Sequence, residues 1–186
     1  MNEPAGQLVS AAEIISFWRD AGPEKWFTKD SALDEGIRAR FLQTYQAAAA
    51  EKLSDWEQTA EGALALAIVL DQFPRNMFRG DARTYAADAL ARDVAERALA
   101  RGFDRQVPSP EWQFFYLPFE HSESLPDQER CCALFAAAGD ADLLRWAVLH
   151  ADIIRRFGRF PHRNAVLGRA TTSEEQAFLD GDGFKG

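Results

Sequence analysis

Cysteine is scarce in this chain of 186 residues: there are two, Cys131 and Cys132, and they are adjacent. Neighbouring residues of a helix point their side chains apart, which excludes an ordinary disulfide and leaves both as expected thiols. Histidine is nearly as rare, at three. With no HExxH and no paired Cys/His spacing, neither a metal nor another cofactor is expected. A Gly-rich phosphate loop, a GxSxG elbow and a dinucleotide fingerprint are all missing. The longest apolar run, residues 63–70, falls well short of the about 20 residues that cross a bilayer. The opening MNEPAGQLVS has neither the basic start nor the apolar stretch of an export signal. The expectation is a cytoplasmic protein that does not engage membranes.

Positive charge is also in deficit. There are 21 Lys and Arg against 29 Asp and Glu, a net charge of −8 and a sequence pI near 4.9. Phosphate backbones demand a basic face of many residues, so nucleic acid is excluded as a general partner. What the chain does have is apolar bulk: 47% hydrophobic residues, including 14 Phe and 5 Trp. A length of this order buries about 70% of its unfolded surface without staples, which suits one domain over residues 1–186 or two small units sharing a core.

Helical signals run from end to end. Ser10 and Glu13 form a capping box before Ile14, Phe17 and Trp18, and Gly22-Pro23 closes that helix. Trp26-Phe27 reads as a connector. Asp30 or Ser31 then caps a second helix to about Glu51, with Leu33, Ile37, Phe41 and Tyr45 on one stripe, predicting a hairpin of the two. Thr59 caps a third helix, apolar on every side over residues 63–70, that Pro74 is expected to stop. A long helix is predicted over residues 82–101, and a short one over the aromatic stretch 112–117 after Ser109-Pro110. Two more follow, from Pro126 or Asp127 to Gly139 and from Asp140 to about Phe157, then a capping box at Thr172 and Glu175 and a polar tail past Asp180. No strand pattern intervenes, so the fold class is all-α, built from antiparallel helix pairs.

Polar chemistry concentrates at three proline-marked junctions. Residues 155–169 hold five arginines (Arg155, Arg156, Arg159, Arg163 and Arg169) and no acid. Their mutual repulsion requires either carboxylates from distant segments or an anionic ligand. Phe160-Pro161-His162-Arg163-Asn164 is echoed earlier by Phe73-Pro74-Arg75-Asn76. Asp71 lies near the negative pole of an apolar helix, where a carboxylate is disfavoured and needs a cation, such as Arg75 four residues on. The third junction is Phe119-Glu120-His121-Ser122-Glu123, where His121 sits between acids. His150 shares a face with Trp146, Ile154 and Phe157 and reads as a core histidine.

Several blocks together resemble the signature of a bacterial family catalogued as domain of unknown function 924. They are ISFW (15–18), WFTKD (26–30), LDQFPRNMFRG (70–80), LPFEHSE (117–123), and His150 with RFGRFPHRNAVLGR (156–169). The resemblance covers nearly the whole chain. It implies an α-α superhelix of tetratricopeptide-like type, and it implies no activity, substrate or catalytic residue.

Three readings follow from the junctions. In the first, Asp71, Gln72, Arg75, Asn76, Arg79, Glu120, His121, Arg159, His162, Arg163 and Asn164 converge on a pocket for a small anionic ligand, a carboxylate or phosphate. The second is a protein-interaction scaffold whose junctions are structural and whose Trp26, Trp56 or Trp112 meets a protein partner. The third makes the pocket that of a hydrolase or transferase, with His121 or His162 as acid-base and Glu120 or Asp71 orienting it.

Overall fold

A computed structural model describes residues 8–181; the opening residues 1–7 and the polar tail 182–186 lie outside it. Every regular element among the described residues is helical. The chain forms two compact units. One comprises Met1–Arg79 with Arg83–Pro118, the other Gly80–Ala82 with Phe119–Gly186.

In the first unit, α1 (Ala11–Ala21) begins at the expected capping box, Ser10 accepting from the Glu13 N–H and Glu13 accepting from the Ser10 N–H. A single turn, α2 (Pro23–Trp26), occupies what reads as a connector. Its Trp26 is buried, stacked on Trp18 with ring centres 6.1 Å apart, and donates its indole N–H to the Trp18 carbonyl at 2.7 Å. Asp30 caps α3 (Ser31–Ala49). The predicted α1/α3 hairpin is not the main packing: α1 lies chiefly along α4 (Ala60–Ala67) and α3 along α5 (Phe73–Met77). The reason is that α4 is apolar all round, so two helices can bury their stripes against it and its extension rather than against each other. Trp18, Phe41, Phe73 and Phe114 meet there edge-on or stacked at 5.1 to 5.7 Å. A large apolar side chain buried in this way contributes about 1.5–3 kcal/mol.

Pro74 does not stop the third helix. Residues Ile68–Gln72 widen into a π turn, the Phe73 N–H donating to the Ile68 carbonyl, and the chain continues directly as α5 with Pro74 in its first turn. A proline at that position surrenders only an N–H the local geometry has already displaced. The long helix expected from residue 82 is likewise split, into a 3₁₀ turn at Ala82–Tyr85 and α6 (Asp88–Ala100). The aromatic stretch forms a 3₁₀ helix at Glu111–Phe115 followed by the short α7 (Leu117–Glu120).

The second unit is built on a hairpin of α8 (Leu125–Ala138) and α9 (Ala141–Phe157). Gly139 adopts the left-handed conformation that ends α8, and Asp140 caps α9, accepting from the N–H groups of Asp142 and Leu143. Gly158, left-handed as well, turns the chain out of α9. The Thr172/Glu175 capping box then opens α10 (Ser173–Asp180). Ile153, Ile154 and Phe160 form the core here, flanked by Leu125, Phe157 and Phe178.

Candidate functional site

The eleven residues expected in one pocket divide between the units: Asp71, Gln72, Arg75, Asn76 and Arg79 belong to the first, and Glu120, His121, Arg159, His162, Arg163 and Asn164 to the second.

In the first unit the π turn delivers Asp71 into the interior, fully buried. Gln72 donates to its carboxylate at 2.6 Å, and Arg75 lies 3.4 Å from it. The same guanidinium donates to the Asp71 carbonyl at 2.6 Å and forks onto Asp88 of α6 at 3.0 and 3.2 Å. Burial pulls the Arg75 pKa down, but Asp71 and then Asp88 more than offset it and hold it above the usual arginine value. One helical turn on, Asn76 and Arg79 both donate to Asp34 of α3, at 2.7 Å and at 2.6 and 3.1 Å. The junction thus bolts α5 to α3 and α6. Asp34 and Asp88 were not foreseen as its partners. Each lies in the first turn of its helix, where the N-terminal dipole favours a carboxylate, and that was the available signal.

In the second unit the arginine cluster finds its acids. Arg155 pairs with Asp152, and Arg156 with Glu174 at 2.9 Å. Arg159 forks onto Glu175 at 2.6 and 2.8 Å. Glu175 also accepts from the Thr172 N–H at 2.8 Å and from the buried Asn164 amide at 3.2 Å. Its pKa falls to about 2, through Arg159 first, then the Thr172 N–H and Asn164. Arg169 forks onto Glu123 at 2.7 and 2.9 Å, while Glu123 also accepts from the Phe160 N–H at 2.8 Å. Burial raises the Glu123 pKa, yet Arg169 and the Phe160 N–H bring it below the usual carboxylate value. These four arginines therefore meet carboxylates, three of them from other segments and, for Arg155, Asp152 one turn back on α9. Glu123 and Glu175 were visible in the sequence only as a neighbour of His121 and as half of a capping box.

Arg163 is bound differently. It is buried, its guanidinium carbon lies 4.5 Å from the centre of the Phe160 ring, and its Nη2 donates to the His121 carbonyl at 2.9 Å. Together with the Glu123 contacts, this clasps the 119–123 segment against the 160–169 segment and sets Arg163, next in the chain to His162, against the His121 backbone. Both histidines are partly exposed. Glu120 turns inward and lies 3.5 Å from His150, whose Nδ1 is 2.8 Å from the Trp146 carbonyl; both side chains are buried. That carbonyl can only accept, so Nδ1 carries the proton. A buried histidine held by its own helix is what the α9 spacing predicts. Neighbouring Cys131 is buried too, and burial, then Glu120, push its thiol pKa well up, which disfavours the thiolate. Cys131 and Cys132 are both free thiols. Among the described residues no cluster of three His, Cys, Asp or Glu is arranged for a metal ion, and no helix is long and apolar enough to cross a membrane.

Of the tryptophans expected to meet a partner, Trp26 is buried, stacked on Trp18, while Trp56 and Trp112 are partly exposed.

The profile of a family described as "Bacterial protein of unknown function (DUF924)" matches residues 14–183. The chain belongs to this family. A solved structure, that of a protein of unknown function from Agrobacterium tumefaciens, is similar to this DUF924 chain at 49% identity with a TM-score of 0.89, over 91% of this chain and 96% of that one. No curated protein matches the DUF924 chain.

Proposed function

We propose that the second unit binds a small anion, a carboxylate or phosphate, at the clasp that carries His121, His162 and Arg163. The observation that carries this reading is the bond from Arg163 to the His121 carbonyl, which sets the backbone of the partly exposed His121 against a buried guanidinium whose chain neighbour is the partly exposed His162. Imidazole N–H and guanidinium donors are suited to carboxylate or phosphate oxygens. Arg159, Arg169 and Asn164 are reassigned in this reading as supports, since each holds Glu123 or Glu175. The first-unit residues Asp71, Gln72, Arg75, Asn76 and Arg79 become its structural counterpart, a junction of satisfied pairs. Thermal unfolding in phosphate, citrate and acetate tests the proposal. Ligand at 100 times its Kd stabilises a protein by about 2.7 kcal/mol, so the expected result is a rise of several degrees in one of these anions that His162→Gln reduces. A melting temperature indifferent to all three, or a rise equal in the variant, sinks it.

A second reading, the interaction scaffold of tetratricopeptide-like type, keeps support from one place only. Trp146, Val148 and Leu149 stand exposed on α9. The enzymatic reading loses ground, because the carboxylate meant to orient an accessible histidine lies beside the buried His150 instead.

A further inference from the structure

Where α3 runs out, the chain places a glutamate against two local preferences. The Glu51 N–H donates to the Ala48 carbonyl and the Lys52 N–H to the Ala47 carbonyl, each at 2.9 Å, so Glu51 is the residue just past the cap that closes the helix. Its φ is +55°, and among the described residues it alone has a positive φ without being glycine. Glycine usually fills this position, because a side chain in the left-handed conformation is strained. A carboxylate there also faces the negative end of the helix dipole, which favours cations. Residues kept under such strain cluster at ligand sites, and Glu51 borders a cleft.

The cleft, about 260 Å³ and open to solvent, lies between the end of α3, the turn Ser54–Gln58, α4 and α6. Its apolar lining includes the buried Leu66, Leu70 and Val94 and the half-buried Leu53 and Leu90; its charged lining is Glu51, Glu57 and Arg97. Glu57 and Arg97 answer each other, two guanidinium N–H groups donating to the carboxylate at 2.6 and 2.8 Å. The Arg97 pKa stands above the usual arginine value, through that bond first, and Asp93 and Glu51 add to it. The Glu51 carboxylate thus stands within electrostatic reach of the same guanidinium, yet has no ion-pair or hydrogen-bond partner of its own among the described residues. Arg101 is turned to the Glu57 and Gln58 carbonyls. The Glu57/Arg97 pair cancels, and one negative charge is left beside an apolar cleft.

We infer that this cleft binds a small aliphatic primary amine, its alkyl chain against the leucines and Val94 and its ammonium on the Glu51 carboxylate. Such an amine, with a pKa near the about 10.4 of lysine, is a cation at neutral pH. An apolar lining with one charged group to fix orientation is the usual make-up of a ligand site, and a volume just under the about 300–1,000 Å³ of drug-sized ligands suits a chain of about four carbons. A neutral chain of that length leaves Glu51 without a partner, and an anionic one is repelled by it. The ligand is a free amine rather than a lysine side chain of another protein, because the polar groups of the rim are already engaged: Ser54 Oγ donates to the Glu51 carbonyl, and Glu57 and Arg97 hold each other. The site lies in the first unit and is independent of the anion site proposed above.

Methyl NMR of the full chain during titration with n-butylamine at pH 7 tests it. The Leu66, Leu70, Leu90 and Val94 methyl signals are expected to shift and saturate with a Kd of the order of 1 mM, as befits a ligand of so few atoms. n-Butanol, butyrate and N-acetyl-lysine amide, which carries the same ammonium chain on a peptide backbone, each bind at least fivefold more weakly. Glu51 is exposed, so its variants keep the fold. Glu51→Gln weakens butylamine binding at least fivefold. Glu51→Gly does the same with no fall in melting temperature, because glycine relieves the left-handed strain while removing the charge. The inference is overturned by methyl signals that do not saturate, by an equal response to n-butanol or butyrate, by tighter binding of the lysine derivative, or by a Kd unchanged in Glu51→Gln.

Discussion

Gly62 shows how a single missing atom can be decisive. It sits in the first turn of α4, and a Cβ there would stand 2.1 Å from the Trp56 carbonyl oxygen and 2.9 Å from its carbon. Backbone cannot retreat as a side-chain tip can, so Gly62→Ala should shift the 54–58 turn off α4 at a cost of about 3 kcal/mol, read from urea unfolding. Wild-type stability in that variant would remove the clash as an explanation for the glycine. Glu175 is the complementary case, a residue that does more than its local pattern announces. Its carboxylate serves the capping box, Arg159 and Asn164 together, with a pKa of about 2. Because that value lies below the unfolded one of about 4.3, its contribution is fully present above pH 4.3 and fades as pH falls toward 2. Glu175→Gln is therefore expected to melt several degrees below wild type at pH 7, with the gap closing between about pH 5 and pH 2. A gap constant over that range would mean the charge is not what matters. The capping half of this was legible in the sequence, since Thr172 and Glu175 are three residues apart. The Arg159 half was not, because the two lie 16 residues apart and meet only through the turns between them.

Among the elements, boundaries set by local chemistry match the sequence reading closely. Ser10, Asp30, Thr59, Asp140 and Thr172 all cap where expected, and Gly139 and Gly158 end α8 and α9 in left-handed conformations. A cap depends on two or three neighbouring residues, so its signal is complete within a short window. Pro74 was misleading for the opposite reason. Its breaking tendency assumes an α-helical hydrogen-bond ladder, and the π turn at Ile68–Gln72 removes that assumption. The turn is held by long-range partners: Arg75 reaches Asp88 on α6, and Asn76 and Arg79 reach Asp34 on α3. Arg75→Met should accordingly cost about 3–5 kcal/mol, since it strands the buried carboxylates of Asp71 and Asp88, whereas an exposed arginine change costs little. Chemical denaturation distinguishes the two magnitudes. A smaller cost is expected from Thr172→Ala, about 1 kcal/mol for the lost cap.

At the scale of the molecule, composition limits partners and packing assigns roles. A net charge of −8, with four of the five arginines of residues 155–169 joined to Asp152, Glu174, Glu175 and Glu123, argues against binding of a polyanion. An electrophoretic mobility assay with duplex DNA at 50 mM salt is expected to show no shift at micromolar protein; a shift would contradict that charge distribution. The sequence by itself determined most of the caps, the all-α class, the family blocks and which residues make up the polar junctions, because each depends on residue types a few positions apart. Only the tertiary structure decided what those junctions do. Within each unit it chose the carboxylates that Arg75, Arg79, Arg156, Arg159 and Arg169 meet, drew Trp26 inward, and clasped the 119–123 segment to the 160–169 segment through Arg163 and Glu123. Such ion pairs join groups from 13 to 46 residues apart, and many acids could have filled each role equally well on charge alone. Which one does is set by where packing of the apolar faces leaves it.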